Sequence, residues 1–113
     1  MTSLHLDERL LYSDLAADPD LGEIVDLFVT EMPEKIAAMR ADFSAGSWES
    51  LRRTAHQLKG AAGSYGFADV SPSAAALEAA VRTSAPERRI GEALDALAEL
   101  CHRLRPGPPP RAA

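Results

Sequence analysis

Apolar residues recur along this chain at three- and four-residue spacings, the period of a helix with one inward side. The last run is the cleanest, with Ile90, Leu94, Leu97, Cys101 and Leu104 at heptad spacing, a bundle seam. Leu51, Ala55, Leu58, Ala62 and Tyr65 form a second seam, and the spacing predicts a helix from about Ser47 to Tyr65. Leu21 to Phe43 carries a third stripe through Ile24, Leu27, Phe28 and Glu31 or Met32, continued by Ile36, Met39 and Phe43. Pro33 falls inside that run and removes a backbone donor, so a kink or restart near Thr30 to Met32 is expected. Pro72 to about Thr83 presents the small residues Ala76, Leu77, Ala80 and Val81, which calls for close neighbours. Leu4 to Ala17 reads as a short amphipathic helix with Leu4, Leu10, Leu11 and Leu15 gathered on one side.

The breaks between runs carry helix punctuation. Asp20 with Glu23 fits a capping box after the Asp18-Pro19-Asp20 break, Ser47 suits an N-cap, and Ser71-Pro72 opens a helix with proline at its first position. Ser84 and Glu87 around Pro86 form another capping box. One short helix and four longer ones joined by short links predict an all-α fold. Its expected form is an up-down-up-down four-helix bundle with a short N-terminal cap helix. The bundle is expected over residues 1–105, followed by a Pro-rich flexible tail, 106–113.

Composition narrows the function classes. The 113 residues suit one domain; aromatics are only 5%, and alanine and leucine dominate the apolar content. A net charge of −5 argues against nucleic acid as a main partner. One cysteine, Cys101, permits no internal disulfide, and no apolar run is long enough for a membrane span. With no signal-peptide pattern in MTSLHLDERL, a soluble cytoplasmic protein is expected. His5, His56 and His102 show no metal-ligand spacing, no nucleophile elbow is evident, and no glycine-rich loop follows a strand. His5 and His102 read as surface residues and Cys101 as buried.

One stretch, Ala55 to Gly66 (AHQLKGAAGSYG), is not explained by packing. At about 100° per residue, His56 lies roughly 140° from its helix's inward seam, with Lys59, Gly60 and Gly63 around it and Arg52 one turn before. Interior glycines cost about 1 kcal/mol each against alanine, so two beside an exposed imidazole suggest a close approach by another molecule. A solvent-facing histidine on a bundle is commonly no more than that. The functional alternative is a nucleophile: neutral imidazole carries a lone pair near neutral pH, and Lys59 and Arg52 would offset the charge of an acquired anion. These features suit a residue that accepts a phosphoryl group and hands it on. Nothing here would hold a nucleotide with Mg²⁺.

His56-Gln57-Leu58-Lys59-Gly60 followed by Ala61-Ala62-Gly63-Ser64-Tyr65-Gly66 resembles the signature of the histidine-containing phosphotransfer (HPt) family. The resemblance runs from roughly Leu21 to Leu104 and includes Phe28 and Pro33 before the motif and Leu77-Glu78 after it. It implies a phosphorelay intermediate rather than an enzyme. His56 would be the phosphorylated residue, taking the group from a receiver-domain aspartate or a hybrid or sensor histidine kinase and passing it to a response-regulator receiver. Lys59 would neutralise phosphoryl oxygens and Gly60 would clear space for the receiver. No cofactor of its own is implied, since the receiver supplies Mg²⁺, and such domains are monomeric as a rule.

Arg52 and Gly63 border the expected docking surface, and its apolar part is sought near Val29 and Met32. Phe28 fits the core better than that surface; Glu31 and Glu34 face either a basic partner or plain solvent. Tyr65 and Phe67 are expected under the loop, and Trp48 at the bundle end. The competing reading is an HPt-like adaptor that binds receiver or kinase domains and transfers nothing.

Overall fold

The pairing of ring residues sets how the helices run. In the computed structural model, which describes residues 9–110, the chain forms α1 (Gly22–Ala45), α2 (Trp48–Ser64), α3 (Val70–Arg82) and α4 (Glu87–His102). Phe28, early in α1, meets Tyr65 just beyond α2 at 5.4 Å between ring centroids, whereas Phe43, late in α1, meets Trp48 at 5.7 Å. Those two contacts make α1 and α2 antiparallel. Each helix touches the next, α1 also touches α4, and the diagonal pairs do not meet. The result is a four-helix ring in which the α1–α4 seam lies opposite the α2–α3 seam.

The core is built from the inward stripes: Val25, Phe28, Met32 and Met39 of α1, Leu51, Ala55, Leu58 and Ala62 of α2, Leu77 and Val81 of α3, and Ile90, Leu94 and Leu97 of α4. Each buried leucine, isoleucine or valine contributes about 1.5–3 kcal/mol by leaving water. Contact is most extensive between α2 and α3, where alanines such as Ala55, Ala62 and Ala74 let the backbones approach. Phe28 stacks on Phe67 at 5.6 Å, placing both in the core beneath the α2–α3 loop. Among the described residues, no helix is long and apolar enough to cross a membrane.

Several expectations fail for physical reasons. Residues 9–17 do not form the cap helix; residues 1–8 lie outside those described. The Leu11 N–H donates to the Arg103 carbonyl at 2.7 Å and its carbonyl accepts from Arg105 N–H at 2.9 Å, an isolated parallel bridge to Leu104. Buried Ser13 donates its hydroxyl to the Tyr65 carbonyl and accepts from Leu15 N–H at 2.9 Å. Tertiary partners thus take the groups that a helix would have used. Pro33 causes no restart, because α1 runs unbroken through it, with Pro33 on the exposed side and Phe28, Met32 and Met39 anchored in the core. Ile24 and Leu27 are exposed, since the inward stripe centres on Val25 instead. On α3 the inward position is Ala74, and Ala76 is exposed.

The caps also differ. Asp18 Oδ1 accepts from the N–H groups of Asp20 and Leu21 at 2.7 and 3.1 Å, so an Asx turn at Asp18 precedes α1 in place of the Asp20–Glu23 box. At the end of α1, Gly46 adopts φ 71°; its N–H reaches Phe43 O and that of Ser47 reaches Asp42 O, a Schellman closure. Ser47 precedes α2 but makes no side-chain cap. The hydroxyl of Ser71 goes to the Lys59 carbonyl at 2.8 Å, and α3 starts at Val70, two residues before Pro72. Ser84 takes φ 56° and leaves Pro86 at the cap of α4, so no box forms there. Past α4, Gly107 N–H donates to Asp26 Oδ1 at 2.9 Å.

Gly66 joins the N-terminal strap to the bundle. Its φ is 84°, and an added Cβ would run into the Ser13 hydroxyl and stand 3.1 Å from Asp14 N. Gly66→Ala is therefore expected to cost about 1–3 kcal/mol, read as a lower urea midpoint at unchanged slope.

Candidate functional site

Leu51, Ala55, Leu58 and Ala62 turn one face of α2 inward, which leaves His56 on the outer face. Its side chain is 60% exposed, and its Nδ1 lies 2.8 Å from Oε2 of Glu78 on α3. The other carboxylate oxygen of Glu78 accepts from Lys59 Nζ at 2.9 Å. Glu78 is only 7% exposed, with Arg52 NH1 3.9 Å away. The carboxylate therefore links an imidazole and an ammonium that lie almost one turn apart. Lys59 chiefly holds the Glu78 carboxyl below the usual range; burial opposes this and the His56 bond assists it.

An ionised carboxylate only accepts hydrogen bonds. Nδ1 must carry the proton in this pair, and the neutral ring then keeps its lone pair on Nε2. Lys59, with three donors and one spent on Glu78, retains two for an anion beside that nitrogen. The arrangement orients an exposed nucleophilic nitrogen and sets positive charge next to it.

Glycines complete the approach. A Cβ at Gly60 would find nothing within 4 Å, and one at Gly63 would meet only Ser71 Oγ at an ordinary 3.8 Å. Packing requires glycine at neither position, and both are exposed on the side of His56. Arg52 is already engaged: its Nε donates to Glu49 Oε1 at 3.1 Å, and NH2 to Glu49 Oε2.

The structure separates Val29 and Met32 from His56. Met32 is 2% exposed and Val29 half-buried, and both line an apolar groove of about 350 Å³ between α1 and α4, with Ile36, Ala98 and Cys101. That seam is across the bundle from His56, so neither residue can extend the His56 face. Lys35 of α1 borders a crevice with Thr54 and Gln57 of α2, and Ile24 and Leu27 fall on the same flank of α1, eleven and eight residues earlier. Both are exposed, at 43% and 55%.

Glu78 is the member of this cluster to which the sequence assigned no role. The signal was present in the pattern, because a helix that buries positions 74, 77 and 81 also turns position 78 inward. A charged residue at such a position demands a partner. Cys101 is buried, and burial pushes its thiol up to about 12; His102 is exposed. His5 lies outside the described residues. Among the described residues, no group of three or more His, Cys, Asp or Glu side chains could hold a metal ion.

No curated protein and no solved structure matches the chain. A family model described as the Hpt domain matches residues 23–107, a span that holds all four helices apart from the first residue of α1, together with His56, Lys59 and Glu78. With that match over most of its length, and an exposed histidine backed by a carboxylate and a lysine, the chain belongs to the Hpt domain family.

Proposed function

We infer that this protein is a cytoplasmic, monomeric phosphorelay intermediate whose acceptor atom is Nε2 of His56. The observation that carries this reading is the Glu78–His56 pair, in which a buried carboxylate holds Nδ1 and leaves Nε2 open to solvent. Family membership supports histidine phosphotransfer in two-component signalling, with receiver domains and kinases as partners. The donor is a receiver aspartyl phosphate or a kinase, and the recipient is another receiver. Aspartate and Mg²⁺ belong to the receiver, and this chain acts as a carrier rather than an enzyme.

The Nε2 lone pair attacks phosphorus as the aspartate carboxylate leaves. Lys59 swings its free donors onto the phosphoryl oxygens and offsets their charge. Gly60 and Gly63 leave the helix surface low beneath the receiver's active site, while Ile24 and Leu27 supply apolar contact from α1.

Transfer of labelled phosphoryl from a phosphorylated receiver tests this reading. Wild type is expected to take up acid-labile, alkali-stable label, and His56→Gln to take up none. Label on both would move the site to His102 or His5. Label on neither, with folded protein, would favour the binding adaptor.

A further inference from the structure

Glu78 does more than orient a ring. We propose that its carboxylate keeps the Nδ1 proton on His56 after phosphorylation, so that the phosphorylated ring stays in its labile, donating form. This deepens the reading above, because it concerns the onward step of the same site.

The proton count makes the argument. In the acceptor step the P–O bond to aspartate breaks, the P–Nε2 bond forms, and the Nδ1 proton stays where it is. The ring has spent its lone pair and now carries a positive charge. In the donating step the P–Nε2 bond breaks, and its electron pair returns to Nε2. With Nδ1 protonated, the leaving group is neutral imidazole; without that proton it would be imidazolate, a far poorer one. Loss of the Nδ1 proton between the two steps would therefore strand the phosphoryl group on the protein.

The surroundings of Nδ1 decide whether that proton is lost. From α2 the charged neighbours are Arg52 and Lys59, with Glu49 held on Arg52 and Arg53 further out. From α3 comes Glu78, with the exposed Arg82 one turn on. From α1, Lys35 lies in the crevice on the Gln57 side. Arg52 and Lys59 both oppose a positive ring. Among the described residues, Glu78 is the one negative group in direct contact with it, at 2.8 Å from Nδ1. A carboxylate held in its ionised form by Lys59 is well placed for the task.

Glu78→Gln separates charge from orientation, because the amide oxygen can still accept from Nδ1–H but carries no charge. Wild type and variant are phosphorylated with phosphoramidate, a small donor that needs no receiver. The phospho-His56 signal, identified by its absence in His56→Gln, is followed by ³¹P NMR across pH. Its ring is expected to lose the Nδ1 proton at a pH at least about one unit lower in Glu78→Gln than in wild type. Between midpoints one unit apart the variant's phosphoryl group should then survive about two- to fivefold longer, approaching about tenfold above both, and pass to receivers correspondingly more slowly. A structural role alone would not move that midpoint.

Equal midpoints would overturn the proposal, as would a wild-type His56 that phosphoramidate cannot modify. Should Glu78→Gln not fold, Lys59→Gln serves instead. It leaves the whole carboxylate to the ring, and its midpoint is expected above that of wild type; a lower one would contradict the proposal. A shifted midpoint without transfer to any receiver would leave the proposal standing and overturn the relay reading.

Discussion

Gly60→Leu is expected to give a more stable protein that transfers phosphoryl groups poorly. An added Cβ at this exposed position meets nothing within 4 Å, so the side chain starts into open space. Replacing glycine inside a helix with leucine is worth about 0.8 kcal/mol, which should raise the urea midpoint. The same side chain would stand up from α2 one turn beyond His56, where the proposed relay brings a receiver's aspartate. Holding reacting atoms about 1 Å too far apart can cost 100-fold, so a 10- to 100-fold slower transfer is expected from rapid-quench assays. Gly60→Ala should keep the gain in stability with a smaller loss in rate. Phosphorylation by phosphoramidate should be unchanged in both, because a small donor needs no broad approach. A leucine variant with wild-type transfer would show that the receiver does not pass over Gly60.

Leu77→Ala is expected to have the largest effect on stability and to reach the site as well. Leu77 is fully buried in the core on α3, the helix that makes the most extensive contact with α2. Truncating a buried leucine costs about 2–5 kcal/mol, through lost burial and the cavity left behind. Domains of this size hold about 5–15 kcal/mol in total, so the urea midpoint should fall sharply at nearly unchanged slope. Leu77 is also the residue before Glu78. If α3 settles toward the cavity, the His56–Glu78 and Lys59–Glu78 bonds, 2.8 and 2.9 Å long, lengthen with it. Reduced transfer by the fraction that remains folded would be the sign of that coupling. A midpoint close to wild type would mean that the core is far more plastic than its packing implies.

The residues themselves explain which features could be read without coordinates. The α4 seam is largely legible because polar or small residues stand between Ile90, Leu94, Leu97 and Cys101, with Leu100 the one large apolar residue outside it and Ala98 the one buried position it leaves out. On α1 the apolar residues spread too far round the helix for spacing alone to choose a face, so Ile24 and Leu27 read as inward although they face solvent. At Leu11 and Ser13 the outcome depends on partners about ninety and fifty positions away, Arg103 and Tyr65, which no local pattern contains. His56, Lys59 and Gly60 share one turn of helix, so periodicity places them together. Glu78 belongs to another helix, and its role appears only once α2 and α3 are aligned. The position of Val29 and Met32 was hidden for the same reason: their own helix does not reveal that they line the seam opposite His56.

The most direct test of the central claim is to locate the phosphorus atom. Uniformly ¹⁵N-labelled protein, incubated with a phosphorylated receiver and Mg²⁺, can be read by long-range ¹H–¹⁵N and ¹⁵N–³¹P couplings. The account predicts phosphorus on Nε2 of His56 with a proton retained on Nδ1. Phosphorus on Nδ1 of His56, or on another histidine, would contradict it.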